Sequence, residues 1–288
     1  MPQYKTDQKL YHAIRSVLLC LDCGEEKSDF TETVDAMTCT NCGYSYPIIK
    51  KVLSAFHKKN KDLIHYSEIP SEERESFIKR KAFAYEGEGI ISTLFNHYHV
   101  FAAKQRHLFR PQGFFFDLGC GIGEHSSFLS NEEANKYIGL DLDRYKLEVF
   151  RASHPETLLI QCDARHLPFK SSCTNFLQTT SFLEHFDTLD LLDILNEIKR
   201  LLKPGSTYVN CMPAEGSLFL TLSRWAMNLV RLYSIGVKVD LQHDHKSEVR
   251  EIQKTLARIF KLQHSSYFPI KIPSVQTNLF INQVYTLS

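Results

Sequence analysis

The sequence predicts an α/β fold: a seven-stranded, mostly parallel sheet with helices on both faces, plus a small N-terminal module held by metal. Three observations predict it. From Phe114 onward short apolar runs alternate with segments of helical period, as in strand–helix–strand units. One of those runs ends in alternate glycines, Gly119, Gly121 and Gly123. Four of the eight cysteines fall early, in two C-x2-C pairs.

The 288 residues have room for one sizeable domain and one small one. With 43% hydrophobic and 23% charged residues and a net charge of +1, the composition is that of a globular protein with no global attraction to nucleic acid. A local basic patch stays open. The N-terminal stretch "MPQYKTDQKLYHAIRSVLL" lacks the long apolar core and cleavage site of a signal peptide. The apolar run Ser217–Val237 is broken by Arg224 and Arg231, so no transmembrane segment is expected. Clustered cysteines suit a metal site in a reducing cytoplasm better than a disulfide framework.

Residues 1–58 hold that module. "CLDC" and "CTNC" place Cys20, Cys23, Cys39 and Cys42 with fifteen residues between the pairs, the spacing of a tetrahedral zinc site. Four protein ligands leave no open position, so the zinc is expected to staple the fold and not to catalyse. The words "CTNCGYSYPIIKKV", with Gly43, Tyr46, Pro47 and Ile48, resemble the zinc-ribbon activator subunit of tRNA and protein methyltransferases. In that family the ribbon stabilises a methyltransferase partner, and the resemblance implies a similar module fused in cis.

Residues 59–85 read as a charged linker, with Lys58, Lys59, Lys61, Lys79, Arg80 and Lys81 expected to be solvated. Ile90, Leu94, Tyr98 and Phe101 at helical spacing should then pack on the next domain, residues 86–288. His97, His99 and His107 are read as structural or solvent-facing. Candidate strands follow at Phe114–Leu118, Tyr137–Asp141, Leu158–Cys162, Phe176–Thr180, Thr207–Met212, Ser265–Pro269 and Phe280–Leu287. Leu191, Ile194, Leu195, Ile198, Leu201 and Leu202 form a helical stripe that should stop at Pro204–Gly205, and a second helix should begin at an N-cap, Ser247.

A strand, a glycine turn and a helix make a ligand cradle. The dinucleotide fingerprint would need glycine at position 124, where Glu124 stands beside the place of a pyrophosphate. The observed order, Asp117, Gly119, Gly121, Gly123, instead resembles motif I of the class I S-adenosylmethionine-dependent methyltransferases, a Rossmann-like fold. Their ligand carries an ammonium and a sulfonium and no phosphate. Three further segments match in order: "YIGLDLD" with Asp141, "IQCDARHLPF" with Asp163 and Ala164, and "TTSFLEHF" with Ser181, Glu184 and His185. The resemblance implies that Asp141 holds the ribose hydroxyls, that Asp163 takes the adenine amino group, that the Ala164 amide meets the ring, and that Asp117, the glycines and Ser181 complete the cofactor site. Asn175 and Ser206 depart from the family pattern outside those positions.

Methyl transfer from a sulfonium is a direct displacement, so a base is needed only where the acceptor must lose a proton. His185, at the carboxyl edge of the fourth strand, is the first candidate, then His243 or His245 in "QHDHKS", then Glu215. Substrate contacts are expected in an insert at residues 213–246, whose apolar stripe is either a packed cap helix or a lid or membrane-surface helix. The leading expectation is a methyltransferase acting on a small molecule, a lipid or glycan precursor included, with transfer to oxygen favoured. Its rivals are an RNA or protein methyltransferase docking through the ribbon, and a non-catalytic scaffold.

Overall fold

The computed structural model describes residues 10–85, 90–223, 225 and 246–287, without the side chains of residues 80, 82–85, 90, 91, 94 and 95. The cysteine module comes first as an antiparallel meander: β1 (Phe30–Glu32), β2 (Ala36–Cys39), β3 (Ser45–Ile49) and β4 (Val52–Ser54). Lys50 and Lys51, both left-handed at φ 51° and 59°, make the two-residue turn that matches hairpin twist.

The remaining strands are β5 (Phe115–Leu118), β6 (Tyr137–Asp141), β7 (Leu158–Gln161), β8 (Thr174–Thr180), β9 (Leu202–Pro213), β10 (Lys261–Phe268) and β11 (Phe280–Thr286). They lie in the order β7-β6-β5-β8-β9-β11-β10, parallel except where β11 meets β9 and β10. All seven were expected from the sequence. Among the described residues the sheet has eleven strands instead of seven, because β4 pairs in parallel with β7, Leu53 opposite Ile160, and carries β1–β3 with it. An open edge of β7 would expose unpaired amides and carbonyls, and the N-terminal module satisfies them. Tyr11 fastens the joint: its buried hydroxyl donates to Leu159 O at 2.7 Å and accepts from Leu53 N at 3.0 Å.

Helices α1 (Arg74–Tyr85), α2 (Ile90–Phe109), α3 (Asn131–Ala134), α4 (Arg144–Ser153), α5 (Thr188–Leu201) and α6 (Val249–Leu256) complete the described structure. Alternation along β5 sends Phe115 to one face of the sheet and Phe116 to the other. Phe116, Ile138 and Leu177 pack with the apolar stripes of α5 and α6, and Phe115, Tyr137 and Phe176 with α2 and α4. Tyr98 and Phe101 of α2 are buried as their spacing predicts, whereas the side chains of Ile90 and Leu94 lie outside the description.

Two caps differ in instructive ways. Asp187 caps α5, accepting the amides of Leu189 and Asp190. Ser247 does not cap α6: its hydroxyl donates to Phe186 O at 2.7 Å, and the N-cap is Glu248, with no side-chain bond. A tertiary acceptor has outcompeted the local one. Pro204 and Gly205 likewise do not end in a free turn, since β9 already begins at Leu202, paired with Thr174 across a register shift.

The charged stretch before α2 is tied down. Asp143 accepts from Glu68 N at 2.8 Å, Lys146 pairs with Glu68 at 2.6 Å, and the Arg74 guanidinium lies 4.4 Å from the Tyr145 ring centroid. Lys81, expected to be solvated, is instead ion-paired with Glu124. Among the described residues no helix is long and apolar enough to cross a membrane.

Candidate functional site

β5 sits at the middle of the parallel order, with β6 and β7 on one side and β8 and β9 on the other. The crevice outside the carboxyl ends of β5 and β8 is therefore the switch point, where open α/β sheets bind ligands. Along that edge the chain presents Asp163 beyond β7, Asp141 at the end of β6, Gly119 beyond β5 and Ser181 beyond β8. Neighbouring strands are roughly 4.8 Å apart, so the row suits an extended ligand three strand-steps long.

The glycine loop is braced without a ligand. Asp141 Oδ2 accepts from Gly121 N at 2.9 Å and Oδ1 from Asp143 N at 2.8 Å. Gly119, Gly121 and Gly123 all have positive φ, at 78°, 57° and 88°. Each is also kept bare by a side chain of the protein itself. A Cβ on Gly123 would lie 2.6 Å from Phe150 Cγ, one on Gly121 2.9 Å from Glu124 Oε2, and one on Gly119 2.7 Å from Phe182 Cγ.

Four acids surround the loop, and their environments differ. Asp117 is fully buried beneath it and accepts from the Tyr137 hydroxyl at 2.7 Å; burial pushes its carboxyl up to about 6. Burial also raises Asp141. For Glu124, burial acts upward but the Lys81 ammonium, 2.6 Å away, outweighs it and leaves the carboxyl below its ordinary value. Asp163 is held low in the same way, burial being overcome by Arg165, whose guanidinium reaches its two oxygens at 2.8–3.2 Å. The Ala164 backbone follows directly, its side chain 8% exposed. Among the described residues the cradle has four carboxylates, and the cations named beside it, Lys81 and Arg165, are ion-paired, which suits a cationic ligand and disfavours a phosphate.

β8 ends abruptly. Ser181 adopts φ 48°, a left-handed backbone rare outside glycine, and its amide is tied to Cys211 O at 2.8 Å. His185 closes the following turn, Leu183–His185, and is half-buried. Glu184 O accepts the amides of Lys246 at 2.8 Å and Ser247 at 3.3 Å, which anchors the end of the insert beside His185. His243, His245, Arg224 and Arg231 lie outside the described residues, as does most of the insert. Its described start, Ala214 to Ser223, follows β9, and the Glu215 carbonyl there accepts from Val249 N at 3.4 Å.

Sequence reasoning missed Phe182, Lys81 and Arg165. Phe182 and Arg165 stand next to or two residues from predicted site positions, a signal that was present. Lys81 comes from α1 and only folding brings it to Glu124.

The second cluster is the cysteine module. The four Sγ atoms of Cys20, Cys23, Cys39 and Cys42 lie within 4.8 Å of one another, with Cys20–Cys42 at 3.6 Å and Cys23–Cys39 at 3.9 Å. Tetrahedral thiolates about 2.3 Å from zinc would stand roughly 3.8 Å apart, so the set fits that ion. Both C-x2-C turns close alike, Gly24 N on Cys20 O and Gly43 N on Cys39 O, each glycine at positive φ. Asp22, inside the first turn, accepts the amide of Lys58 at 3.1 Å.

Residues 116–210 match the family described as methyltransferase domain. Among curated proteins, the chain is 28% identical over 109 residues to a malonyl-[acyl-carrier protein] O-methyltransferase of Pectobacterium atrosepticum, covering 38% of this chain and 42% of that one. It is 26% identical over 103 residues to the mitochondrial arginine-hydroxylase NDUFAF5 of Homo sapiens, covering 36% of this chain and 29% of that one. The chain thus spans less than half the length of these relatives. Among solved structures, a TehB-like SAM-dependent methyltransferase from Corynebacterium glutamicum superposes with a TM-score of 0.52 over 76% of this chain and 100% of that one, at 16% identity. That likeness is one of fold.

Proposed function

We propose that this chain, whose fold is that of the S-adenosylmethionine-dependent methyltransferases, transfers a methyl group from that cofactor to an oxygen of a small-molecule acceptor. One observation carries the reading: Asp163, Asp141, the glycine loop and Ser181 stand in that order along the carboxyl edge of four adjacent parallel strands. The cofactor supplies an electrophilic methyl on a sulfonium. Asp163 and the Ala164 amide take the adenine, Asp141 the ribose hydroxyls, and the loop with Ser181 the methionine portion. Asp117 lies one layer below, and its negative charge favours the cationic tail through the loop it supports.

Transfer to oxygen is favoured by the O-methyltransferase relative, 28% identical over 109 residues. His185 is the proposed base, since it ends the turn that follows β8 and is next in sequence to Glu184, whose carbonyl anchors the end of the insert. His243 and His245 remain its rivals. Cys20, Cys23, Cys39 and Cys42 hold a structural zinc, which suits a cytoplasmic, reducing setting.

The test is transfer of radiolabelled methyl from S-adenosylmethionine to fractions of unmethylated cell extract, with calorimetric binding of the cofactor measured beside it. Label in small molecules supports the reading, and loss of that label in His185→Ala supports the base. Label in RNA that weakens steeply with salt would replace it with the RNA reading. Binding without any transfer would favour a scaffold.

A further inference from the structure

The crevice at the switch point is not bare. The Phe182 ring lies directly on Gly119, so close that a Cβ there would sit 2.7 Å from its Cγ. Three features hold the ring in this position. The left-handed backbone of Ser181, φ 48°, turns the chain sharply as β8 ends and so sets the direction in which the next side chain leaves the sheet. The Ser181 amide is pinned to Cys211 O at 2.8 Å, and Phe186 meets Phe182 edge to face at 4.9 Å between centroids. A non-glycine residue at positive φ is strained and persists where its surroundings require it, which happens most often at functional sites.

From these contacts we infer that Phe182 is a cofactor-contacting residue whose ring face holds the cationic sulfonium of S-adenosylmethionine. The inference rests on the proposed function. With adenine at Asp163 and ribose at Asp141, the ligand runs from β7 across β6, and its next portion falls at β5 and β8, where Gly119 and Phe182 meet. The sulfur is the group next to the ribose. An aromatic face attracts a cation electrostatically, and more strongly where water is excluded. Phe182 is half-buried, and the acids at the loop are not placed on the sulfonium itself: Asp117 is under the loop, Glu124 is paired with Lys81, and Asp163 with Arg165. Asp141 is assigned to the ribose, so among the described residues the ring is placed to distinguish a sulfonium from a neutral thioether.

Isothermal titration of the full-length, zinc-loaded protein with S-adenosylmethionine and with S-adenosylhomocysteine tests this, because the two ligands differ by the methyl and its positive charge. Phe182→Leu should weaken S-adenosylmethionine by about 3- to 20-fold and leave S-adenosylhomocysteine within about 2-fold. Phe182→Tyr, which keeps the ring, should retain the wild-type ratio, and it serves as the control should the leucine variant fold poorly. An equal loss for both ligands in Phe182→Leu would overturn the inference in favour of simple packing, and a gain for both would make the ring a steric plug. A wild-type chain that binds neither ligand overturns the cofactor reading and this inference together, whereas a ratio that Phe182→Leu leaves unchanged overturns the inference alone and leaves the cofactor reading standing.

Discussion

The backbone amide of Gly121 donates to Asp141 Oδ2 at 2.9 Å, so the carboxylate at the end of β6 shapes the glycine loop before it can serve a ligand. Its other oxygen is bonded to Asp143 N at 2.8 Å. Asp141→Ala should therefore cost twice. We expect cofactor affinity to fall roughly 10- to 100-fold by calorimetry, the scale of a lost charged hydrogen bond, and folding stability to fall by about 1–3 kcal/mol in urea. Unchanged affinity would remove Asp141 from the site.

Asp117 predicts a pH dependence. Its folded-state value of about 6 lies above the 3.8 ordinary for an aspartate. Between those values the native chain holds a proton that the unfolded chain has lost, so this stabilisation is complete below about pH 4 and is lost as pH rises through 6. Asp117→Asn cannot ionise and should gain on wild type by up to about 3 kcal/mol between pH 4 and pH 7. His97 and His99, both lowered to about 4 by burial, act in the opposite sense over a similar range. They cancel in the difference between the two proteins' urea curves, which is the quantity to measure.

Arg106 is fully buried, yet it reaches four partners: Glu133 at 2.7 Å, Phe128 O at 2.8 Å, Gln178 at 3.3 Å and the His125 ring. It thereby ties α2 to the helical turn after the glycine loop. Replacing it with methionine leaves those acceptors unpaired and should destabilise the fold by about 3–5 kcal/mol. A loss below about 1 kcal/mol in denaturant titration would mean that solvent or neighbours satisfy them.

Zinc should stabilise more than the cysteine module. Because β4 continues the sheet from β7, melting β1–β4 exposes that edge. Metal analysis should find one zinc per chain, and Cys39→Ser or strong chelation should lower the melting temperature of the whole protein, by about 2–4 °C for each kcal/mol lost. A separate low-temperature transition with the main one unmoved would show the module to be energetically independent.

Gly123 offers a steric check. It packs under Phe150 of α4, and alanine there would meet the ring at well under contact distance and at φ 88°. Gly123→Ala should cost about 2–4 kcal/mol, from overpacking together with backbone strain. Pairing it with Phe150→Leu should recover part of that loss, and no recovery would assign the cost to the backbone alone.

Much of this was legible in the sequence because it is local. Alternating apolar runs fixed the seven strands of the main sheet, since a buried two-sided strand has few other compositions. C-x2-C spacing brought the four sulfurs together, and the motif order placed Asp141 and Asp163 at adjacent strand ends. What tertiary structure decided was partnership. No periodicity says that β4 should extend the sheet beside β7, that Lys81 should neutralise Glu124, or that Ser247 should serve Phe186 O and not α6. The same holds for the three glycines: the sequence determined that their backbone must be bare, and only the packed chain determined that Phe182, Glu124 and Phe150 occupy the space. Backbone freedom is a property of one residue, whereas the occupant of a contact is chosen by elements far apart in the chain.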